Sequence, residues 1–207
     1  MSSPDSDITF TGSIPKVYES YLVPLIFAPF AGDMAARLAQ RSVSSVLEIA
    51  AGTGVVTRAL ASALPENVSI VATDLNEAML EQAQSVGTSR PVEWRQADAT
   101  ALPFPDETFD AVICQFGVMF FPDKAKAFAE AHRVLRPGGI FLFNVWDRIE
   151  ENQFVNTVTT ALEPIFPQNP PRFHARVPRS RSGVVSPGSR PSPGFAPTGP
   201  HYTLSPS

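Results

Sequence analysis

The stretch Ser45–Leu64 constrains this chain more than any other. Residues 45–50 read SVLEIA, a short apolar run of the length a buried strand needs. It passes directly into Ala51-Gly52-Thr53-Gly54. Beyond that, Val56, Ala59, Leu60, Ala63 and Leu64 recur at i, i+3, i+4, i+7 and i+8, the spacing of a helix with one apolar face. A strand that turns into a helix through small residues is the first half of a β-α-β unit. Such units build parallel sheets covered by helices on both faces. The glycines also let a ligand approach the backbone, where N–H groups at the helix start face it.

The pattern repeats along the chain. Residues 68–73, 91–95, 109–115 and 140–146 read as further strands. Asn76 is a good cap for a helix through Met79–Gln84, with Leu75 and Leu80 placed as a hydrophobic staple. Asp123 caps a helix running to Leu135, and Arg136-Pro137-Gly138-Gly139 suits a turn. Phe154, Val158, Ala161 and Leu162 give a last helix before Pro164. Near the start, residues 14–31 read as helical pieces broken at Pro24 and Pro29, with Asp33 capping a helix over Met34–Gln40. The order β-α-β-α-β-β-α-β-α without hairpin signals predicts an α/β fold, a Rossmann-like doubly wound, mostly parallel sheet with helices on both faces. Ligands of such sheets gather at the carboxyl ends of the strands. Here those ends are Ala50, Asp74, Ala97-Asp98, Gln115 and Trp146-Asp147.

Composition narrows the function classes. With 207 residues, of which 43% are apolar, the chain can build one core. A net charge of −4 argues against nucleic acid as the partner. A single cysteine, Cys114, excludes an intramolecular disulfide, and His132, His174 and His201 lack metal-ligand spacing. The longest strongly apolar run, residues 22–32, has 11 residues and two prolines, too short to span a bilayer. Residues 1–10 do not resemble a signal peptide, so the expectation is a cytoplasmic protein without a membrane partner.

Charge and composition switch abruptly late in the chain. All 20 acidic residues lie within residues 1–166, whereas residues 167–207 carry five arginines and no acid. Pro, Ser and Gly make up 18 of the last 30 residues. Such a segment buries too little apolar surface to offset its ordering entropy. Three regions are therefore expected: a helical segment covering the site (1–40), the sheet domain (41–166) and a disordered tail (167–207).

Asp74 lies twenty residues past Gly54, at the end of the second strand. A carboxylate there can accept both hydroxyls of a ribose. A dinucleotide fingerprint would continue to a third glycine, where this chain has Thr57, so pyrophosphate binding is disfavoured. Asp98, after the third strand, is placed to accept an amino group.

Five ordered segments, VLEIAAGTG (46–54), ATDLNEAML (72–80), QADATALPFPDETFDAV (96–112), CQFGVMFFPD (114–123) and RVLRPGGIFLFNVWD (133–147), closely resemble class I S-adenosylmethionine-dependent methyltransferases, in the branch of quinone-biosynthesis-like small-molecule enzymes. The resemblance covers about residues 14–175. It implies S-adenosylmethionine as cofactor and a small-molecule methyl acceptor. Glu48 would help hold the methionine end, and the loop from Ala50 through Gly52 to Gly54 would lie against methionine and ribose. Asp74 would take the ribose hydroxyls, with Leu75 and Met79 against the adenine. Asp98 would read the adenine amino group beside Ala99. Gln115 and Phe116 would lie near the sulfonium, Tyr18 and Tyr21 would close over the site, and Trp146 would wall the acceptor pocket. The family usually has glycine where this chain has Ala50, a mild change of one methyl group. It also has seven strands, of which five are readable here, so a C-terminal truncation or frameshift near residue 176 is expected.

Plain readings prevail for several residues. His132 leans toward an apolar face, Cys114 sits in an apolar strand, Asp147 suits a helix cap, and the tail arginines suit a solvated segment. No catalytic side chain is required, because an activated methyl donor needs mainly alignment with its acceptor. Two alternatives remain at this point: a truncated relative that binds cofactor without turnover, and a nicotinamide-dependent oxidoreductase.

Overall fold

The computed structural model describes residues 14–146 and 180–185. The expected last helix, Asp147 and most of the tail lie outside them. A sheet of order β3-β2-β1-β4-β5-β6 forms the centre. Its strands are β1 (Ser45–Ile49), β2 (Ser69–Asp74), β3 (Glu93–Gln96), β4 (Phe109–Gln115), β5 (Leu135–Trp146) and β6 (Ser180–Val185). The first five pair parallel, as expected for strands joined through helices. The helices are α1 (Ile14–Val17), a π-helical segment (Tyr18–Phe27), α2 (Ala28–Ala39), α3 (Val55–Ala63), α4 (Glu77–Val86) and α5 (Lys124–Val134).

The central strands β1, β2 and β4 are mostly apolar because both sheet faces are covered there, whereas β3 is polar and largely exposed. Val46, Ile113 and Leu142 pack with Met34, Leu38, Val56 and Leu60 on one face. Leu47, Ile49, Val112 and Phe141 pack with Phe128 and Val134 on the other. Cys114 is buried within β4, and burial pushes its thiol up to about 12, so it serves as a small core residue. The sheet order reverses between β1 and β4, which opens a crevice at their carboxyl ends.

Five expectations are corrected. Pro24 and Pro29 do not break the N-terminal segment, which runs as helix from Ile14 to Ala39. Pro24 falls in the π-helical part, and Pro29 falls in the first turn of α2, where its missing N–H costs nothing. The resulting helix, Pro15–Ala39, is long and apolar enough to cross a membrane by length and composition, yet Met34, Ala35 and Leu38 are buried in the core. Asp33 does not cap; it lies inside α2 and pairs with Arg37 at 2.7 Å, one turn on. Asn76 does cap α4, accepting the Ala78 N–H at 3.0 Å, but Leu75 is 61% exposed, so no staple with buried Leu80 forms.

Arg136–Gly139 is looped out of β5 opposite Asp110, since Phe109 pairs with Leu135 and Ala111 with Ile140. Gly138 takes φ +81° within this bulge. The last correction concerns the tail. Ser180–Val185, expected to lack structure, pairs antiparallel with β5 from Phe141 to Trp146. An open strand edge presents unpaired N–H and C=O groups to any extended segment, whatever its side chains.

Candidate functional site

A cavity of about 570 Å³ opens at the carboxyl ends of β1, β2 and β4. Its floor is the loop after β1. Ala51 N–H donates to the Thr73 carbonyl at 2.9 Å, and Gly54 N–H donates to Ala51 at 2.9 Å. Gly54, at φ +82°, turns the chain into α3. Asp74 closes the loop from the side: its carboxylate accepts the Gly52 N–H at 2.8 Å and the Asn76 N–H at 2.8 Å. Burial holds the Asp74 carboxyl above the usual carboxylate range, opposed by the N–H groups of Asn76, Gly52 and Leu75.

Across the crevice, β4 ends at Gln115 and turns through Phe116 at φ +53°. Buried Asn144 on β5 holds that turn, its Oδ1 accepting the Phe116 N–H at 3.0 Å. Gln115 reaches the covering helix, its Nε2 donating to the Phe27 carbonyl at 3.2 Å. Tyr18 and Phe27 stack with centroids 5.1 Å apart, and Phe27 and Phe30 lie 5.7 and 5.2 Å from Phe116. Burial, reinforced by the Asp74 and Glu19 charges, keeps the Tyr18 hydroxyl protonated well beyond its ordinary range. The third wall follows β3, where Asp98 Oδ1 accepts both the N–H and the hydroxyl of Thr100, at 2.7 and 2.8 Å.

Tyr18, Ala50, Gly52, Asp74, Leu75, Met79, Asp98, Ala99, Gln115 and Phe116 all line the cavity. Tyr21 does not; it is 64% exposed, because the unbroken helix turns it outward. Gly54 does not line it either and acts on it only through the turn into α3. The side chain of Trp146 lies outside the described residues. Sequence reasoning missed Phe27, Gln96, Phe120 and Phe121 in the wall. The apolar run before the Asp123 cap was a signal for the last two. Phe27 depends on a helix continuing through Pro24, which no local pattern announces.

Glu48 sits behind the loop, 1% exposed, and accepts the Thr57 hydroxyl at 2.6 Å. Burial pushes its carboxyl up to about 8, against the Thr57 hydrogen bond. This has a consequence for stability. Between its unfolded value of 4.5 and about 8, the folded chain holds a proton that the unfolded chain has released. Stability therefore falls as pH rises through that window, by up to about 1.4 kcal/mol per pH unit from this group. Glu48→Gln removes that slope. Urea midpoints at several values between pH 5 and 8 check it, and parallel trends for both proteins would refute it.

Residues 47–143 match the family model described as "Methyltransferase domain". Over 106 residues the chain is 42% identical to the ubiquinone/menaquinone biosynthesis C-methyltransferase UbiE of Escherichia coli, covering 49% of this chain. The chain spans 42% of that relative's length. A methyltransferase-assigned protein of Bacillus halodurans is 30% identical, with a TM-score of 0.52 over 64% of this chain and 58% of its own. The fold alone is shared with an S-adenosyl-L-methionine-dependent methyltransferase-assigned protein of Methanococcus maripaludis. It is 22% identical, with a TM-score of 0.62 over 81% of this chain and 78% of its own. The nicotinamide alternative gains no support from these likenesses.

Proposed function

We propose that this chain, whose residues 47–143 match a methyltransferase-domain model, binds S-adenosylmethionine in the crevice and transfers its methyl group to a small-molecule acceptor. The observation that carries the proposal is the Gly52 loop tied to Asp74 at the floor of a cavity of about 570 Å³. The residues fit the cofactor. Asp74 has lone pairs left for ribose hydroxyls beside the two N–H groups it accepts. Leu75 and Met79 offer apolar surface for the adenine. Asp98 Oδ2 carries no bond among the described residues and suits the adenine amino group. Glu48, behind the loop, forms no wall surface; its protonated carboxyl, held against Thr57, would support the methionine end through the loop.

When bound, S-adenosylmethionine supplies an activated methyl group on a sulfonium. The chain's own work is positioning. Gln115 and Phe116 form the end of the crevice nearest the acceptor side. The aromatic cluster of Tyr18, Phe27 and Phe116 excludes water and presents flat apolar faces to an acceptor. Holding acceptor and methyl group aligned lowers the barrier without a protein nucleophile.

The likeness to UbiE supports a quinone-precursor type of acceptor with carbon as the methylated atom. A small acceptor also suits a body in which residues 1–166 carry 20 acidic and 11 basic side chains. Calorimetry with S-adenosylmethionine and its demethylated product, with a nicotinamide dinucleotide as control, tests the cofactor. A methyl-label assay against hydroquinones, RNA and protein tests the acceptor. Label in small-molecule fractions alone is expected. Binding of the cofactor without label in any fraction would support the turnover-free alternative, and label in RNA or protein at comparable rates would overturn the acceptor class.

A further inference from the structure

Arg58, on α3, bridges the loop that follows β1 and the helix that covers the cavity. Its Nη1 donates to the Thr53 carbonyl of the glycine loop at 2.7 Å. Its Nη2 donates to Glu19 Oε1, in the π-helical segment, at 2.6 Å. The pair is well shielded, with the two side chains 23% and 17% exposed. At the other end of the same segment, the Phe27 carbonyl accepts Gln115 Nε2 at 3.2 Å. A carbonyl can only accept, so Phe27 also fixes which end of the Gln115 amide faces it.

The segment Tyr18–Phe27 is therefore pinned near both ends, once through Arg58 to the glycine loop and once to Gln115 of the cavity wall. Tyr18, next to the first pin, and Phe27, which carries the second, both form cavity wall. Long π-helical runs are rare and tend to mark functional sites. Both pins also leave one buried oxygen without a partner among the described residues, Glu19 Oε2 and Gln115 Oε1. An unpaired buried acceptor costs free energy, so stability alone would not select these contacts.

We propose that Arg58 is a positioning residue that couples the covering helix to the glycine loop, so that one planar guanidinium fixes the position of one relative to the other. The proposal rests on the cofactor assignment above for its functional meaning, and on geometry alone for the coupling. A guanidinium holds two acceptors in a fixed fork, whereas a lysine ammonium is a compact point donor on a flexible stem. Arg58→Lys keeps the charge and breaks the fork. Glu19→Gln removes the ionic partner and leaves the bond to Thr53.

Hydrogen exchange of the ligand-free full chain tests the coupling directly. Arg58→Lys is expected to speed exchange in residues 18–27 and at Gly54, whose N–H bonds to Ala51. Glu19→Gln is expected to speed exchange in residues 18–27 alone. Exchange unchanged in Arg58→Lys, or accelerated equally across all strands, overturns the proposal; the second result marks plain destabilisation. Calorimetry then reads the functional side. Arg58→Lys is expected to weaken S-adenosylmethionine binding about tenfold or more, the scale of one lost charged hydrogen bond. Its thermal midpoint should stay near that of the parent. If the parent itself binds no cofactor, the functional assignment fails while the exchange result still decides the coupling. If the parent binds and both variants bind equally well, the positioning role is wrong.

Discussion

Asp74→Ala is expected to weaken binding of S-adenosylmethionine by about 10- to 100-fold. In the proposed binding mode the carboxylate accepts two ribose hydroxyls, and hydrogen bonds to a charged group contribute about 1.5–3 kcal/mol. Part of the loss arises before any ligand arrives. Asp74 accepts the N–H groups of Gly52 and Asn76, both at 2.8 Å, so its removal also frees the loop that forms the cavity floor. Asp74→Asn distinguishes the two contributions. Asparagine keeps one acceptor oxygen for Gly52 or Asn76 but carries no charge for the ribose. Affinity intermediate between parent and alanine is the expected order in calorimetry. Unchanged affinity in Asp74→Ala, with the parent binding well, would remove Asp74 from the site.

Gly54→Ala is expected to lower the unfolding free energy by about 2–5 kcal/mol. Two costs combine. A side chain in the left-handed region adds about 1–2 kcal/mol, and forcing atoms into a filled space adds about 1–3 kcal/mol. Gly54 has φ +82°, and a Cβ there would stand 2.9 Å from Trp94 Cη2 and 3.1 Å from Ala83 Cβ. Trp94 and Ala83 belong to β3 and α4, so the strain spreads into two elements beside the cavity. Gly52→Ala is the control. Its φ is +56°, but the nearest atom, Met79 Cε, lies 4.0 Å away, so only the conformational cost applies. Urea unfolding should rank the parent above Gly52→Ala and Gly52→Ala above Gly54→Ala. With a total of about 5–15 kcal/mol for a typical domain, the last variant sits close to unfolding. Equal midpoints for the two variants would refute the steric argument.

Ala50 shows how the same rule works in this chain's own sequence. Its φ is +54°, a conformation in which glycine would be free of strain. The methyl group that Ala50 carries faces the loop across the crevice. A Cβ added to Gly117 would stand 2.5 Å from Ala50 Cβ, so the two loops of the floor already meet there. Ala50 is compatible with the fold because position 117 has no side chain. No reading of residues 45–54 alone could have found that pairing across the crevice.

The parallel strands, the order of helices and the cavity floor were legible for a common reason. They depend on local periodicity and on small residues at fixed offsets. Strands β1, β2 and β4 are mostly apolar runs, α3 repeats at 3.6 residues, and both Asn76 and Asp123 cap the helices that follow them. Gly52, Asp74 and Asp98 could be named as a group because every strand of a parallel sheet points its carboxyl end toward the same crevice. Glu48 was named from the motif as well, but its concealment behind the loop was not visible in the sequence.

What only the tertiary structure decided is what crosses between elements distant in sequence. Pro24 argues locally for a break, yet the helix continues, with α2 packed into the core and Glu19 and Phe27 each tied to another element. Tyr18 and Tyr21 look equivalent in the sequence, and the rotation of that helix alone puts Tyr18 in the cavity wall and Tyr21 in solvent. Residues 180–185 lack apolar alternation, yet they form β6, because the open edge of β5 supplies backbone partners that no side-chain pattern encodes. Side-chain periodicity determined which segments are strands and helices. Backbone hydrogen bonding and the competition of distant contacts determined where the chain bends, what covers the crevice and which strand closes the edge, because those free energies belong to pairs of segments and not to either segment alone.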